Sequence, residues 1–293
     1  MKKKNLKDLS FLGVLFVLIA TFTISYGYQS SDNENTIDNS NELLVYFIDV
    51  GQADAIYIKD NDENMLIDAG NNTDGKLLVN YLKGLGVTSF KYVVGTHAHE
   101  DHIGGMDNII NNFKINTFYM PDAISTSKTF EDVLDALESN KVAFNTPKIG
   151  DTFNLKKAMF EVLSLGTDTS DLNDTSIVLK MTYNNTCTLF MGDASSAVEK
   201  NLLDKNINCD VLKVGHHGSK YSSSEAFIKT VKPTYGIIMV GKDNKYGHPT
   251  EKTLQTLQKY NVNIHRTDEE GTIIMKIKGD TISFESEKTD TNG

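Results

Sequence analysis

A cluster of metal-binding residue types follows an apolar run near residue 95, and it constrains the fold of this chain more than any other feature. Residues 92–94 have the length of a buried strand, and a helix is predicted to begin near Gly104. Between them lie three histidines and an aspartate: His97, His99, Asp101, His102. Imidazole and carboxylate are ligands for zinc and similar divalent ions, and these four can hardly all surround one tetrahedral ion. The spacing therefore favours two ions, with the first two residues at one ion and the last two at the other.

Three further apolar runs also end in a candidate ligand. Residues 65–67, 186–191 and 211–214 are followed by Asp68, Asp193 and His216. Helical patterns separate most of these runs, which predicts a layered α/β fold. Loops at the strand ends of such a fold converge while the layers stay rigid, so we expect all four groups of residues to meet at one edge.

Alternation of apolar and polar residues and the turn signals predict the remaining elements. Strands are expected at residues 43–50, 55–59, 115–119, 160–165, 177–183, 236–240, 273–277 and 281–284. Helices are expected at residues 75–83, 104–113, 127–139, 195–203 and 223–231, and from Thr250 onward. Together with the four runs above, they form one domain, residues 42–287.

The N-terminal residues 1–27 have the composition of a secretory signal peptide. Four early lysines precede an apolar stretch from Phe11 to Ile24, shorter than the ~20 residues that span a bilayer as a helix. An uncleaved membrane anchor is the alternative. Residues 28–41 are predicted to be a disordered polar linker, and residues 288–293 a flexible tail. We therefore expect a secreted or extracellular membrane-anchored protein that meets the membrane only through residues 1–27.

The net charge of −10 argues against tight, non-specific binding to nucleic acid, and no stable complex with DNA is expected. A polyanionic substrate remains compatible, because metal ions supply positive charge locally. The two cysteines, Cys187 and Cys209, each lie in a strand-like run and are interpreted as buried thiols. A bridge between neighbouring strands in an oxidising compartment is the alternative.

With these residues in hand, the chain resembles the metallo-β-lactamase superfamily. The matching residues are the His-x-His-x-Asp-His run at 97–102, Asp193 after Gly192, and His216. Within the superfamily the chain is most similar to the hydrolase domain of ComEC-type DNA-uptake proteins and their secreted stand-alone relatives. Five segments carry that closer resemblance: residues 47–55, 66–70, 173–179, 212–219 and 246–249. The resemblance implies an αββα four-layer sandwich of two mixed β-sheets.

The resemblance also implies a ligand set for two divalent ions, with zinc expected and manganese as the alternative. The first ion would be held by His97 and His99, and the second by Asp101, His102 and His216, with Asp193 as the bridge. The third first-site histidine of the family is missing, and Asn173 or Asp174 stands in its place. His217 is expected to support the site or to face the substrate, and an exchange of roles with His216 remains open.

The function implied is an exported dinuclear hydrolase in which the two ions hold a shared hydroxide. The candidate catalytic residues are Asp193, His217 and His248, the last of which would contact a phosphoryl oxygen or protonate the leaving group. The expected substrate is an anionic phosphodiester, either DNA or a phosphorylcholine-type ester. The alternatives are a lactonase-like or lactamase-like hydrolase of carbonyl compounds and a non-catalytic accessory for DNA uptake or the cell wall. Asp68 is predicted to hold the histidine loop by hydrogen bonds.

Overall fold

Two β-sheets organise the computed structural model, which describes residues 42–123, 125–166 and 170–287. The predicted signal peptide, linker and tail lie outside the described residues, which belong to the predicted domain, residues 42–287. The strands are β1 (Glu42–Phe47), β2 (Ile56–Asp60), β3 (Glu63–Ile67), β4 (Ser89–Val94), β5 (Lys114–Tyr119), β6 (Phe144–Asn145), β7 (Thr152–Asn154), β8 (Met159–Ser164), β9 (Val178–Tyr183), β10 (Thr186–Phe190), β11 (Val211–Lys213), β12 (Tyr235–Ile238), β13 (Asn263–Arg266), β14 (Thr272–Lys278) and β15 (Thr281–Glu287).

The described residues also form eight α-helices. They are α1 (Gly75–Gly84), α2 (Glu100–Ile103), α3 (Met106–Asn112), α4 (Lys128–Asn140), α5 (Ser196–Leu202), α6 (Glu225–Val231), α7 (Glu251–Lys259) and α8 (Thr267–Glu270). Two 3-10 turns add Leu172–Thr175 and Gly215–Gly218. None of the helices in the described ranges is long and apolar enough to cross a bilayer.

Both sheets mix parallel and antiparallel neighbours. The first has the order β15-β14-β1-β2-β3-β4-β5-β6 and the second the order β13-β12-β11-β10-β9-β8-β7. In the first sheet β3, β4, β5 and β6 run parallel, and in the second β10, β11, β12 and β13 do so. The remaining pairs are antiparallel.

Three apolar layers hold the sheets and helices together. Leu43, Val45 and Phe47 of β1 lie in the core between the sheets, whereas Tyr46 belongs to the core beneath α1, α3 and α4. This alternation places one face of the strand against each layer. A third core packs α5, α6 and α7 against the second sheet. The order helix, sheet, sheet, helix confirms the predicted αββα sandwich of two mixed sheets.

Where the structure departs from the predicted elements, local chemistry gives the reason. The helix predicted to begin near Gly104 begins instead at Met106 as α3, and the short helix α2 precedes the two glycines, Gly104 and Gly105. A Cβ atom on Gly104 would lie 2.2 Å from the backbone of Asn71, and one on Gly105 would lie 2.4 Å from the carbonyl oxygen of Ala69. The two glycines thus let the histidine loop pack closely against the loop that follows β3.

Three strands were not predicted. β6 and β7 have only two and three residues, too few to show alternation. β13, Asn-Ile-His-Arg, is a polar strand at the edge of the second sheet. Such short or polar edge strands carry little of the hydrophobic signal from which strands are predicted.

A disulfide joins Cys187 to Cys209, so the interpretation of both residues as free thiols was wrong. Cys187 lies in β10, and Cys209 lies just before β11, its parallel neighbour. Thr188 pairs with Val211 in the register of these strands, which brings the two cysteines side by side with Cα atoms 4.7 Å apart. The apolar context of each cysteine predicted burial, but only the strand pairing shows that they meet.

Removal of the disulfide should destabilise the domain. A closed loop of 22 residues restricts the unfolded chain, which is worth about 3 kcal/mol on a chain-entropy account. We therefore expect dithiothreitol to lower the free energy of unfolding in urea by about that amount. The Cys187→Ala/Cys209→Ala variant, already lacking the bridge, should be insensitive to dithiothreitol. An equal effect of the reductant on both proteins would contradict this assignment.

Candidate metal centre

The loops after four strands meet at one edge of the sandwich, as the sequence predicts. Asp68 follows β3 and the histidine loop follows β4, its parallel neighbour, in the first sheet. Asp193 follows β10, and the two adjacent histidines follow β11 in the second sheet. Backbone hydrogen bonds connect the two sheets at this edge, with Ile177 N donating to Thr96 O over 2.9 Å.

The carboxylate of Asp68 holds the histidine loop in place. Its Oδ1 accepts from the backbone N–H of Thr96 over 2.7 Å, and its Oδ2 accepts from the Thr96 hydroxyl over 2.8 Å. The same Oδ2 lies 2.8 Å from Nδ1 of His102. These contacts confirm the predicted role of Asp68. They also leave Nε2 of His102 directed at the second sheet, where it lies 3.2 Å from Asp193 Oδ1.

Four side chains form a compact ligand group at the meeting point of the loops. One ligand atom from each of Asp101, His102, Asp193 and His217 lies within 4.8 Å of the others. Nε2 of His217 is 3.4 Å from Asp101 Oδ2 and 3.6 Å from Asp193 Oδ2. Two carboxylates and two imidazoles are a donor set that zinc and related ions accept.

Of the two adjacent histidines, it is His217 whose ring lies in this group, whereas the resemblance gave the ligand position to His216. Both residues have left-handed backbone, with φ of 50° and 51°, so the two rings point in different directions. His217 is buried and donates through Nδ1 to Met239 O over 2.9 Å, which directs Nε2 into the group. His216 lies at the open side, with Nε2 3.6 Å from Asp193 Oδ2. Non-glycine residues in this conformation are costly and cluster at functional sites.

The two first-site histidines lie together but outside the four-residue group. Nε2 of His97 is 3.0 Å from Nδ1 of His99, and the His97 ring lies 4.1 Å from that of His102. Of the two candidates for the missing third ligand, Asp174 accepts from Ser195 N. Asn173 lines the recess beside His99, and its buried Oδ1 has no hydrogen-bond partner in the described ranges. Its free oxygen favours Asn173 over Asp174.

Buried polar atoms without partners concentrate at this edge of the protein. Within the part of the chain that the structure describes, they include Asp54 Oδ1, His102 Nε2, Asn173 Oδ1, Asp193 Oδ1, His217 Nε2 and His248 Nδ1. Buried nitrogen and oxygen atoms normally find a hydrogen bond. Three of these atoms, His102 Nε2, Asp193 Oδ1 and His217 Nε2, belong to the four grouped side chains, where a bound cation would give them a partner. The residues present therefore suit divalent metal.

The electrostatics of the group point the same way. Burial raises the pKa of Asp193, but His102 and His217 outweigh it and hold this pKa well below its usual value. Burial lowers the pKa of His217, yet Asp193 and Asp54 raise it to about 10. The pKa of His102 is likewise raised, against burial, by Asp193 and Asp68. The carboxylates thus attract positive charge, which protons supply in the metal-free protein and a cation would supply on binding.

A buried ion pair lies behind His217. The Lys213 ammonium, fully buried in β11, is 2.7 Å from Asp54 Oδ2. The other oxygen of Asp54 lies 3.4 Å from Nδ1 of His217, farther than Met239 O. Asp54 thus lies directly behind the ligand group, and Gln52 lines the recess beside it. The lysine within the apolar run at residues 211–214 was the overlooked signal, because a charge in a buried strand requires a partner.

The group opens onto a recess of about 330 Å³ that His216, His248 and Gln52 also line. His248 faces His216 with ring centroids 5.7 Å apart. Burial and the neighbouring His216 lower the pKa of His248 to about 4, so its ring is neutral at pH 7. A neutral imidazole offers one N–H donor to an anion in the recess. Ser219 is buried in the turn after His217, where its Oγ accepts from Tyr221 N.

Comparison with known proteins agrees with this fold and site. A family model described as the metallo-beta-lactamase superfamily matches residues 48–242, more than half of the chain. The chain therefore belongs to the metallo-β-lactamase superfamily. The family and the grouped side chains support a metal-dependent hydrolase that binds divalent metal.

Curated relatives confirm the resemblance to ComEC-type competence proteins. The chain is 31% identical to ComE operon protein 3 of Bacillus subtilis, a match that covers 97% of this chain and 38% of that protein. It is 26% identical to competence protein ComA of Neisseria gonorrhoeae, over 80% of this chain and 32% of that protein. The chain thus spans less than half the length of these relatives.

Among solved structures, the metallo-beta-lactamase fold protein YhfI of Bacillus subtilis superposes with a TM-score of 0.54. The match covers 84% of this chain and 100% of that one at 10% sequence identity. At so low an identity the similarity concerns the fold alone, and it confirms the layered architecture.

Substitution of Asp68 by asparagine should weaken metal binding without unfolding the protein. The amide can still accept from Thr96, but its NH2 group cannot accept from Nδ1 of His102. We expect affinity for zinc, measured by competition with a chelator, to fall about 10–100-fold. Asp60→Asn is the matched control, since Asp60 is also buried and accepts backbone N–H groups away from the site. Equal zinc affinity in Asp68→Asn and the unaltered protein would contradict the role of Asp68.

The two adjacent histidines should differ in metal content after substitution. Because Nε2 of His217 lies in the ligand group, His217→Ala should lose one equivalent of bound metal in elemental analysis. His216→Ala should retain its metal, since His216 lies at the open side of the group. Loss of metal in His216→Ala alone would restore the predicted assignment.

Proposed function

We propose that the protein is an exported metal-dependent phosphodiesterase. One observation carries the proposal: Asp101, His102, Asp193 and His217 converge beneath an open recess whose facing wall holds His216 and His248. These four residues would hold a divalent cation, which would supply an activated water and neutralise charge on a phosphoryl oxygen. The first-site pair, His97 and His99 with Asn173, would hold a second ion.

The residues of this chain have distinct tasks in that reaction. Asp193 would bridge the two sites, because its carboxylate lies near His102 and His217 of the second site and the first-site His97 also lowers its pKa. His248 donates its N–H to a phosphoryl oxygen of the substrate in the recess. Asp68 orients the His102 ring through its contact with Nδ1. Asp54, paired with Lys213, lies beside Nδ1 of His217 and supports that ring in the same way.

A phosphodiester suits this recess better than a neutral ester does. Negative charge on the substrate complements bound cations, and the neutral His248 adds a hydrogen-bond donor. The relatives named for competence support DNA as the substrate, although the chain spans only part of their length. The disulfide supports export, because such bonds persist in oxidising compartments. Zinc is the proposed metal, and the poorer nitrogen content of the first site makes manganese the alternative.

Replacement of Asp193 by alanine should abolish turnover while the protein stays folded. We expect hydrolysis of methyl p-nitrophenyl phosphate with zinc or manganese to fall about a thousandfold, since several kcal/mol of charge stabilisation are lost. Asp280→Ala, at the exposed β14–β15 turn, is the control and should retain full activity. A preference for a cephalosporin or a lactone would favour carbonyl hydrolysis instead. If the unaltered protein is folded but hydrolyses none of these substrates, a non-catalytic accessory role would be favoured.

A further inference from the structure

A second recess of about 380 Å³ adjoins the metal centre. It shares Gln52, Asp101 and Tyr246 with the recess above the ligand group, and Asn71 and Lys245 are among its other walls. A molecule bound at the metal centre can therefore extend directly into this second recess. The volume is in the range of small-molecule sites in proteins.

Tyr246 presents a large aromatic surface at the boundary between the two recesses. Its side chain is 59% exposed, which is unusual for so apolar a group beside a candidate site. The ring stacks on His248 with centroids 5.8 Å apart and planes 24° apart. Asn244 holds this segment, because its Oδ1 accepts from the backbone N–H of both Tyr246 and His248. The aromatic surface is thus held in place at the edge of the metal centre.

We propose that this second recess binds the nucleoside next to the scissile phosphate, with the base stacked on Tyr246. The inference rests on the proposed phosphodiesterase function and names the substrate class that the site selects. Stacking on exposed aromatic side chains, with lysine nearby for the backbone, is how proteins bind single-stranded nucleic acid. The phosphate attached to this nucleoside would then lie over the ligand group.

The charges around Tyr246 favour a neutral base over a cationic headgroup. The ammonium of Lys245 lies 5.2 Å from the centre of the Tyr246 ring, where a choline group would otherwise bind. Two positive charges at that ring repel each other, whereas a nucleotide brings a phosphate that attracts Lys245. Glu100 and Asp101 also line the recess and disfavour a second phosphate within it. An uncharged base and sugar fit this distribution.

The same walls predict little discrimination among the bases. The Nδ2 amide of Asn244 is already bonded to Gly241 O and His248 O, and that of Asn71 to Asp74. Both amide hydrogens of Asn244 are thus used within its own loop, and neither is left to read the edge of a base. Stacking alone tolerates every base, because each has an aromatic face.

Tyr221 provides a matched control within the same chain. It is 63% exposed, and the ammonium of the preceding Lys220 lies 5.1 Å from its ring centre. Tyr221 repeats the local chemistry of Tyr246, yet it lines neither recess of the metal centre. A general effect of losing an exposed tyrosine beside a lysine would therefore appear in both variants.

The test compares thymidine 5′-p-nitrophenyl phosphate with methyl p-nitrophenyl phosphate, which lacks the nucleoside. We expect the ratio of their kcat/KM values to fall about tenfold in Tyr246→Ala. Any general loss through His248 cancels in this ratio. Tyr246→Phe keeps the aromatic face and should keep the ratio, as should Tyr221→Ala. An unchanged ratio in Tyr246→Ala, or an equal fall in Tyr221→Ala, would overturn the proposal.

Two further measurements separate this inference from the proposed function. If p-nitrophenyl phosphorylcholine is preferred over the methyl ester and Tyr246→Ala removes that preference, the recess binds a cationic headgroup and the nucleoside assignment is wrong. Calorimetric titration with thymidine 5′-monophosphate needs no turnover and should show about tenfold weaker binding to Tyr246→Ala. Such a loss without any phosphodiesterase activity would reject the proposed function but support the nucleoside site. Binding equal to that of the unaltered protein would reject the site.

Discussion

His102 lies between two buried carboxylates that come from different sheets, and the geometry of the whole site depends on this contact. Asp68 of the first sheet meets its Nδ1, and Asp193 of the second sheet lies beside its Nε2. Burying charge is expensive unless each charge has a partner, so the sheets must align for these three groups to be compensated. The sandwich and the metal centre therefore constrain each other: the strands bring the loops together, and the polar contacts determine how the loops meet.

The protein around this contact separates into a rigid part and a more exposed part. The ligand group follows directly from strand ends and is supported by buried carboxylates, and by the Lys213 ammonium behind His217. The outer wall, from Gly241 to His248, is a loop whose side chains are partly exposed. On the proposed function, the first part would supply the chemistry and the second the contacts that select a substrate. Tyr246 is at the boundary, since it touches a candidate catalytic histidine and also faces the solvent.

Much of the fold and site could be predicted from sequence because the informative residues lie where periodic patterns end. Candidate ligands after four apolar runs predicted both the layered fold and the edge at which they meet. Which of His216 and His217 lies in the ligand group could not be predicted in this way. Adjacent residues are equivalent in spacing, and the hydrogen bond from His217 Nδ1 to Met239 O, which exists only in the folded chain, directs the His217 ring inward. The disulfide depends likewise on strand register, which the composition of two separate runs does not reveal. The Asp54–Lys213 pair was signalled by a charge in an apolar strand, although its partner was far away in sequence.

The most direct test of this account is a crystal structure of the protein grown with zinc or manganese, with anomalous diffraction recorded at the absorption edge of the metal. The account predicts two anomalous peaks, with the carboxylate of Asp193 in contact with both ions and His217 at the second. One peak held by His216 would contradict the assignment of His217. Peaks remote from Asp193, or none at saturating metal, would contradict the central claim that loops from both sheets form one metal centre.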